Sequence, residues 1–249
     1  MTDYPSPPRP GAARPGAARP GAARPGWRRR DALLLPAALA AATPARAEGR
    51  VIDLLLVLAI DASGSIDADE FRLQREGCAQ AITHPDVLAA IGSGPLGAIG
   101  IALVEWGAPG GAATVVGWHR IDGAAAAQAM AGAVMAAPRS PQSWNAIGDA
   151  VEHSTGLLAA APWRADEKVI DVSGDAPDMR SLRPLEEARQ AAEARGIVIN
   201  ALAIEGDRPG LRQTYEATVI AGPGAFVMAA ESRADFARAL RAKLVREIA

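Results

Sequence analysis

From residue 51 onward, continuous apolar runs alternate with stretches whose apolar positions recur at helical spacing. Residues 51–60 (VIDLLLVLAI) form an apolar run that stops at Asp61, the pattern of a central parallel strand buried on both faces. Residues 96–106 and 113–121 predict two further strands, separated by the turn-rich GAPGGA at 107–112. Between the first two runs, residues 67–83 predict a helix with Phe71, Leu73, Cys78, Ala79 and Ile82 on its buried face. The pattern continues with helices over 123–136 and 146–160, a strand over 168–172, a helix over 182–194 and a strand over 197–204. A short helix over 211–217 and a strand over 225–228 follow. A last helix spans 232–248, where Phe236, Leu240, Leu244 and Ile248 recur every four residues, and Ser232 with Asp235 offers a capping box.

Strands alternating with helices in this way predict one three-layer α/β/α, Rossmann-like domain around a mostly parallel sheet. In such a sheet ligands bind beyond the carboxyl ends of the strands, where the strand order reverses. The residues that follow each apolar run therefore carry the functional question.

Residues 1–47 do not share the pattern. GAARP occurs three times between Gly11 and Pro25, a Pro/Gly-rich repeat that cannot build a core. Trp27-Arg28-Arg29-Arg30, an apolar run of about a dozen residues and Ala45-Arg46-Ala47 then have the order of a secretory signal. Arg29-Arg30-Asp31-Ala32-Leu33 also resembles a twin-arginine export signal. The expectation is an exported domain over 48–249, periplasmic or secreted after cleavage near Ala47, with no membrane span in the mature chain.

Dividing the chain there changes the meaning of its charge. The whole carries a net −2, but residues 1–47 hold eight Arg against Asp3 and Asp31, which leaves 18 basic and 26 acidic residues and a net −8 beyond them. An acidic domain has no electrostatic attraction for phosphate backbones, so nucleic acid is not an expected partner. The single cysteine, Cys78, has no second thiol for an internal disulfide and reads as a small core residue.

The candidate chemistry lies after the strands. Asp61-Ala62-Ser63-Gly64-Ser65 places three oxygen-bearing side chains at alternate positions, with small residues between them. Asp171-Val172-Ser173-Gly174-Asp175 brings a second carboxylate to the same sheet edge, and Asn145 opens a helix that can deliver a further polar group. Two carboxylates, two hydroxyls and waters suit a hard divalent cation such as Mg²⁺ and leave it electrophilic toward an anionic ligand.

Asp61-x-Ser63-x-Ser65 after an apolar run, with Asp175 after a later one, resembles the metal-ion-dependent adhesion site of von Willebrand factor type A domains. Glu105-Trp106 and the stretches 170–175, 199–204, 222–227 and 243–248 look like an exported bacterial branch of those domains whose function is uncharacterised. The resemblance implies that Asp61, Ser63, Ser65 and Asp175 ligate a metal or hold its waters. It also implies a protein partner that donates a carboxylate to the metal. There are two departures. Asn145 stands where the family usually has Thr, with an amide oxygen one bond further out and no hydroxyl, and Ala176-Pro177-Asp178 stands where Gly commonly follows the last Asp.

Other motifs give way on context. Gly92-Ser93-Gly94-Pro95-Leu96-Gly97 matches a dinucleotide fingerprint but follows a helical stretch and precedes a strand, the reverse of the required order, and so predicts a turn. A calcium loop from Asp61 fails at Ile66 and Arg72, where Gly and Glu are needed. His84, His119 and His153 are scattered, and no G-x-S-x-G elbow is present. The expected function is a non-enzymatic, metal-dependent binding module. A phosphoester hydrolase using the same strand-end carboxylates is the alternative, with Ser63 standing where such enzymes carry a second Asp. A metal-free structural domain is the third reading.

Overall fold

In the computed structural model, which describes residues 51–206 and 208–249, β1 (Leu54–Asp61) is buried at all eight positions. Its side chains alternate between two cores. Leu54, Leu56, Leu58 and Ile60 face one side of the sheet, and Leu55, Val57 and Ala59 face the other. The strand begins three residues later than its apolar run because Asp53 is engaged elsewhere. Its carboxylate accepts from the backbone N–H of Leu96 at 2.9 Å and of Ala98 at 3.1 Å, pinning the 92–97 turn predicted from the glycines.

Beside β1 lie β2 (Ile99–Trp106) and β3 (Ala113–Ile121) on one flank, and β4 (Glu167–Gly174), β5 (Val198–Ile204) and β6 (Val227–Ala230) on the other. The order is β3-β2-β1-β4-β5-β6, with only β3 antiparallel. The chain leaves β1 for β2, runs out to the β3 edge, then returns across to β4, so the order reverses between β1 and β4. The first face is covered by α1 (Ala68–Thr83), α2 (Pro85–Ser93), α3 (Ala124–Ala136) and α7 (Phe236–Ile248), and the second by α4 (Ile147–Ala159), α5 (Leu185–Glu193) and α6 (Leu211–Thr218). The three-layer α/β/α architecture expected from the sequence is present.

Several local expectations are corrected. The helical pattern names one helix before β2, but His84 accepts from the Asp86 N–H and Pro85 occupies the first helical position, so a second helix, α2, starts there. On α1, Leu73 is exposed and Phe71 half-buried, while Gln74, Arg75, Gly77, Cys78, Ala81 and Ile82 face inward. The phase is set by α7, whose Phe236 ring lies 2.8 Å from where a side chain on Gly77 would begin. Burial pushes the Cys78 thiol up to about 12, as suits a core residue.

The Ser232/Asp235 capping box does not form. A 3-10 turn over Arg233–Asp235 precedes α7, and Ser232 makes no side-chain cap bond. A capping box closes α1 instead, where Asp67 accepts from the N–H groups of Asp69 and Glu70, and Glu70 accepts from that of Asp67. The expected apolar stripe of α7 holds at Phe236, Leu240 and Leu244, with Ile248 half-buried.

Beside that stripe sits a charged group that the apolar pattern does not announce. Lys243 is fully buried with its Nζ 2.7 Å from Asp171 Oδ1 on β4 and in contact with Glu247, which also accepts from Asn200 Nδ2 at 2.9 Å. Burial and the nearby Glu247 push Asp171 up to about 7, with Lys243 opposing. Among the described residues no helix is long and apolar enough to cross a membrane. The 1–47 export reading lies outside the described residues.

Candidate functional site

Asp61 is the last residue of β1 and Asp175 follows β4, so the two carboxylates flank the point where the strand order reverses. Asp61 is fully buried. Its Oδ1 accepts from the Ser63 N–H at 2.8 Å, an Asx-type turn that folds the loop back over the strand end, while its Oδ2 is buried without a partner. Ser63 is also buried, and its hydroxyl stands 3.2 Å from that of Ser65.

The loop is held from beneath by groups that no motif names. Arg139 Nη2 donates to the carbonyls of Ala62, Ser63 and Ile66 at 3.2, 3.1 and 2.8 Å. Gly64 N–H donates to Ser143 O at 3.0 Å, and Ala146 N–H to Gly107 O at 3.0 Å, which join the 61–66 loop, the 107 turn and the 142–146 segment. Gly107 is confined there: a side chain on it would start 2.8 Å from Trp144 O and 3.1 Å from Ser63 Cα. Glu105 adds a buried tie, accepting from Arg75 Nη2 at 2.5 Å and from the Ser140 N–H at 2.7 Å.

Asn145 sits two residues ahead of α4, and its Oδ1 is a second buried oxygen without a partner. Asp178, a carboxylate that the departure at 176–178 adds nearby, is already engaged. Its Oδ1 accepts from the N–H groups of Ile147 at 2.7 Å and Gly148 at 3.1 Å, and from the Ser181 hydroxyl at 2.5 Å, so it caps α4. Asp149 gathers the rim by accepting from Gly110 N at 2.7 Å, Leu182 N at 3.0 Å and Arg183 N at 2.7 Å. Trp144 lies 42% exposed on this rim with the Arg180 guanidinium 4.1 Å over its ring.

Asp175 has a different environment from Asp61. Arg233 Nη2 donates to its Oδ2, and the Arg233 Nε lies 2.9 Å from Glu70 Oε1. Behind the loop, the Tyr215 hydroxyl donates to Ala176 O at 2.8 Å. Burial above all, and then the Asp175 carboxylate, push Asp61 up to about 7, against the opposing bonds from Ser63 and the charge of Arg233.

Asp61, Ser63, Ser65, Asn145 and Asp175 therefore converge on one edge of the sheet, and every side-chain donor is oxygen. The two buried unpartnered oxygens and the absence of nitrogen or sulfur donors fit a hard divalent cation. Among the described residues no group of three or more His, Cys, Asp or Glu gathers as a metal cluster, so the hydroxyls and the amide have to complete any ligand set. Arg139, Glu70, Arg233 and Gln74, whose amide lies between the Asp61 carbonyl at 2.9 Å and Arg233 Nη1 at 3.0 Å, are the residues that sequence reasoning missed. Only Glu70 had a local signal, as the partner of Asp67 in D-x-x-E.

A family profile described as "Protein of unknown function (DUF1194)" matches residues 50–249. The chain belongs to this family. No curated protein sequence matches it. Among solved structures, this DUF1194 chain is similar to a von Willebrand factor type A protein from Catenulispora acidiphila, with TM-score 0.54 and 18% identity over 79% of this chain and 43% of that one. It is also similar to the pilus adhesin SpaC from Lactobacillus rhamnosus GG, with TM-score 0.58 and 16% identity over 80% of this chain and 31% of the adhesin. A third likeness is to proximal thread matrix protein 1 from the mussel byssus, solved with a zinc-occupied MIDAS motif, with TM-score 0.57 and 16% identity over 80% of this chain and 46% of that one. The chain spans less than half the length of each. At these identities the likeness carries the fold, which is that of a von Willebrand factor A domain.

Proposed function

We propose that this DUF1194 chain is an exported, non-enzymatic binding module that recognises a protein partner through a divalent cation, with Mg²⁺ the first candidate. Asp61, Ser63, Ser65, Asn145 and Asp175 would hold the cation or its waters. The observation that carries this reading is the pair of buried, unpartnered oxygens, Asp61 Oδ2 and Asn145 Oδ1, at the reversal point of the sheet. Leaving such groups without a partner costs about 1–3 kcal/mol each, which a ligated cation would recover. A bound cation would supply an electrophilic position for a carboxylate oxygen of the partner. The chain's own part is to keep the donors rigid, through Arg139 beneath the loop and Asp178 on α4.

A binding role is supported by the adhesin and the byssus matrix protein among the fold's neighbours, and the zinc-occupied motif of the latter supports a divalent ion. Export rests on the order of residues 28–47. Thermal melts of the full chain with and without Mg²⁺ or Mn²⁺ test the metal. Stabilisation that rises with ion concentration is expected, and it should vanish in Asp61→Asn. Pull-downs from envelope extracts with and without chelator test the partner, and recovery of the same proteins in both would contradict metal-bridged recognition. The hydrolase alternative predicts turnover of generic phosphoesters that is lost in Asp61→Asn. That result would overturn the binding-module reading.

A further inference from the structure

Arg233, in the turn ahead of α7, reaches back across α1 to the candidate metal ligands. Its Nη2 pairs with Asp175 Oδ2, and its Nε lies 2.9 Å from Glu70 Oε1. With the Gln74 amide oriented to satisfy both neighbours, its Oε1 accepts from Arg233 Nη1 at 3.0 Å and its Nε2 donates to the Asp61 carbonyl at 2.9 Å. The Arg233 side chain is only 13% exposed. A guanidinium fixed by three partners in this way differs from a solvated surface cation, and it stays charged at every accessible pH. Asp175 therefore already has a positive partner before any metal arrives.

Resting on the metal-binding reading above, we propose that Arg233 is a tethered counter-cation that competes with the divalent ion for Asp175 and sets the charge of the loaded site. The charges show what it does. Asp61, Asp175 and Glu70 ionised carry three negative charges, which Arg233 reduces to two, so a divalent ion brings the group to neutrality. Without Arg233 the same ion would leave one negative charge. Arg233 thus weakens the ion in two ways, by like-charge repulsion and by taking an oxygen of Asp175. In return, the loaded face that an incoming carboxylate meets is neutral rather than negative. Arg233 is a positioning residue for the carboxylate and a determinant of affinity, and it is not itself a metal ligand.

The test is calorimetric titration of Mg²⁺ and Mn²⁺ into the full chain, compared with Arg233→Gln and Arg233→Lys. Removing a unit charge from beside a dication should tighten ion binding by about tenfold or more in Arg233→Gln. Arg233→Lys keeps the charge and should stay within about threefold of the parent. Binding seen only in Arg233→Gln also supports the proposal, since the guanidinium then fully displaces the ion. Equal or weaker binding in Arg233→Gln, or equal tightening in both variants, overturns the counter-cation while leaving the metal site standing. No binding to any of the three proteins at millimolar ion overturns both readings. Should Arg233→Gln fail to fold, the side-chain Nε–H resonance of Arg233 in the parent reports directly. It should shift with Mg²⁺ along the binding isotherm, and an unmoved signal at saturation overturns the proposal.

Discussion

Asp61 does two things that pull against each other. Its burial beside Asp175 raises its pKa from 3.8 to about 7, so the folded, metal-free chain holds a proton that the unfolded chain releases within that window. Because the folded state binds more protons there, this group's contribution to stability is largest at the acid end and falls as pH rises from about 4 to 7. Chemical denaturation in chelator at pH 5 and 7 should show that loss, and Asp61→Asn should reduce it without abolishing it, because Asp171, also raised to about 7, titrates in the same window. In the proposed metal site protons would compete with the ion for this carboxylate, so ion affinity should drop as pH goes below about 7. Titrating Mn²⁺ at pH 6 and 8 checks that expectation, and equal affinities would contradict it.

Asp178 illustrates a role that its place in the chain does not reveal. Its neighbours suggest an extra carboxylate for the metal, yet the oxygen it offers is engaged by Ile147, Gly148 and Ser181. Asp178→Ala should therefore destabilise the fold by about 1–2 kcal/mol, as loss of a helix cap does, and should weaken metal binding only through the displaced Asn145. A melt without metal reads the first effect and calorimetry the second. An unchanged melting temperature would show that the cap carries no stability.

Among the elements, α7 holds more than its apolar stripe indicates. Phe236, Leu240 and Leu244 pack under the sheet, and Lys243 enters the same core to meet Asp171 and Glu247. Two carboxylates against one ammonium in a dry site are tolerable only while they stay paired. Replacing Lys243 with Met leaves Asp171 and Glu247 facing each other and should cost about 3–5 kcal/mol at neutral pH. Simultaneous Asp171→Asn should return part of that loss, and a double-mutant cycle by denaturant unfolding measures the coupling. Additive effects would mean that Lys243 and Asp171 act independently. The α1 face shows the same limit of local pattern, since Leu73 is exposed while Arg75 is buried against Glu105. Periodicity locates a helix well, but a partner helix such as α7 decides which side turns inward.

Across the whole molecule, the apolar runs and their alternation with helices were enough to read a three-layer fold with a mostly parallel sheet, because burial on both faces demands near-continuous apolar strands. The same logic brought Asp61 and Asp175 to one edge, since both follow such strands. The alternate spacing of Ser63 and Ser65 and the place of Asn145 ahead of a helix added three further oxygens to the metal reading, and the family resemblance supported all but Asn145, which departs from it. None of these inferences needed a contact between distant residues. What only the tertiary structure decided was everything that depends on long separations in the chain: Arg233 on Asp175, Arg139 under the 61–66 loop, Asp178 on α4 and Lys243 on Asp171. Those partners are charged groups whose local surroundings look like ordinary solvated surface. The physical reason is that hydrophobic burial is written in the local period of a sequence, whereas ion pairs form wherever folding happens to bring opposite charges together.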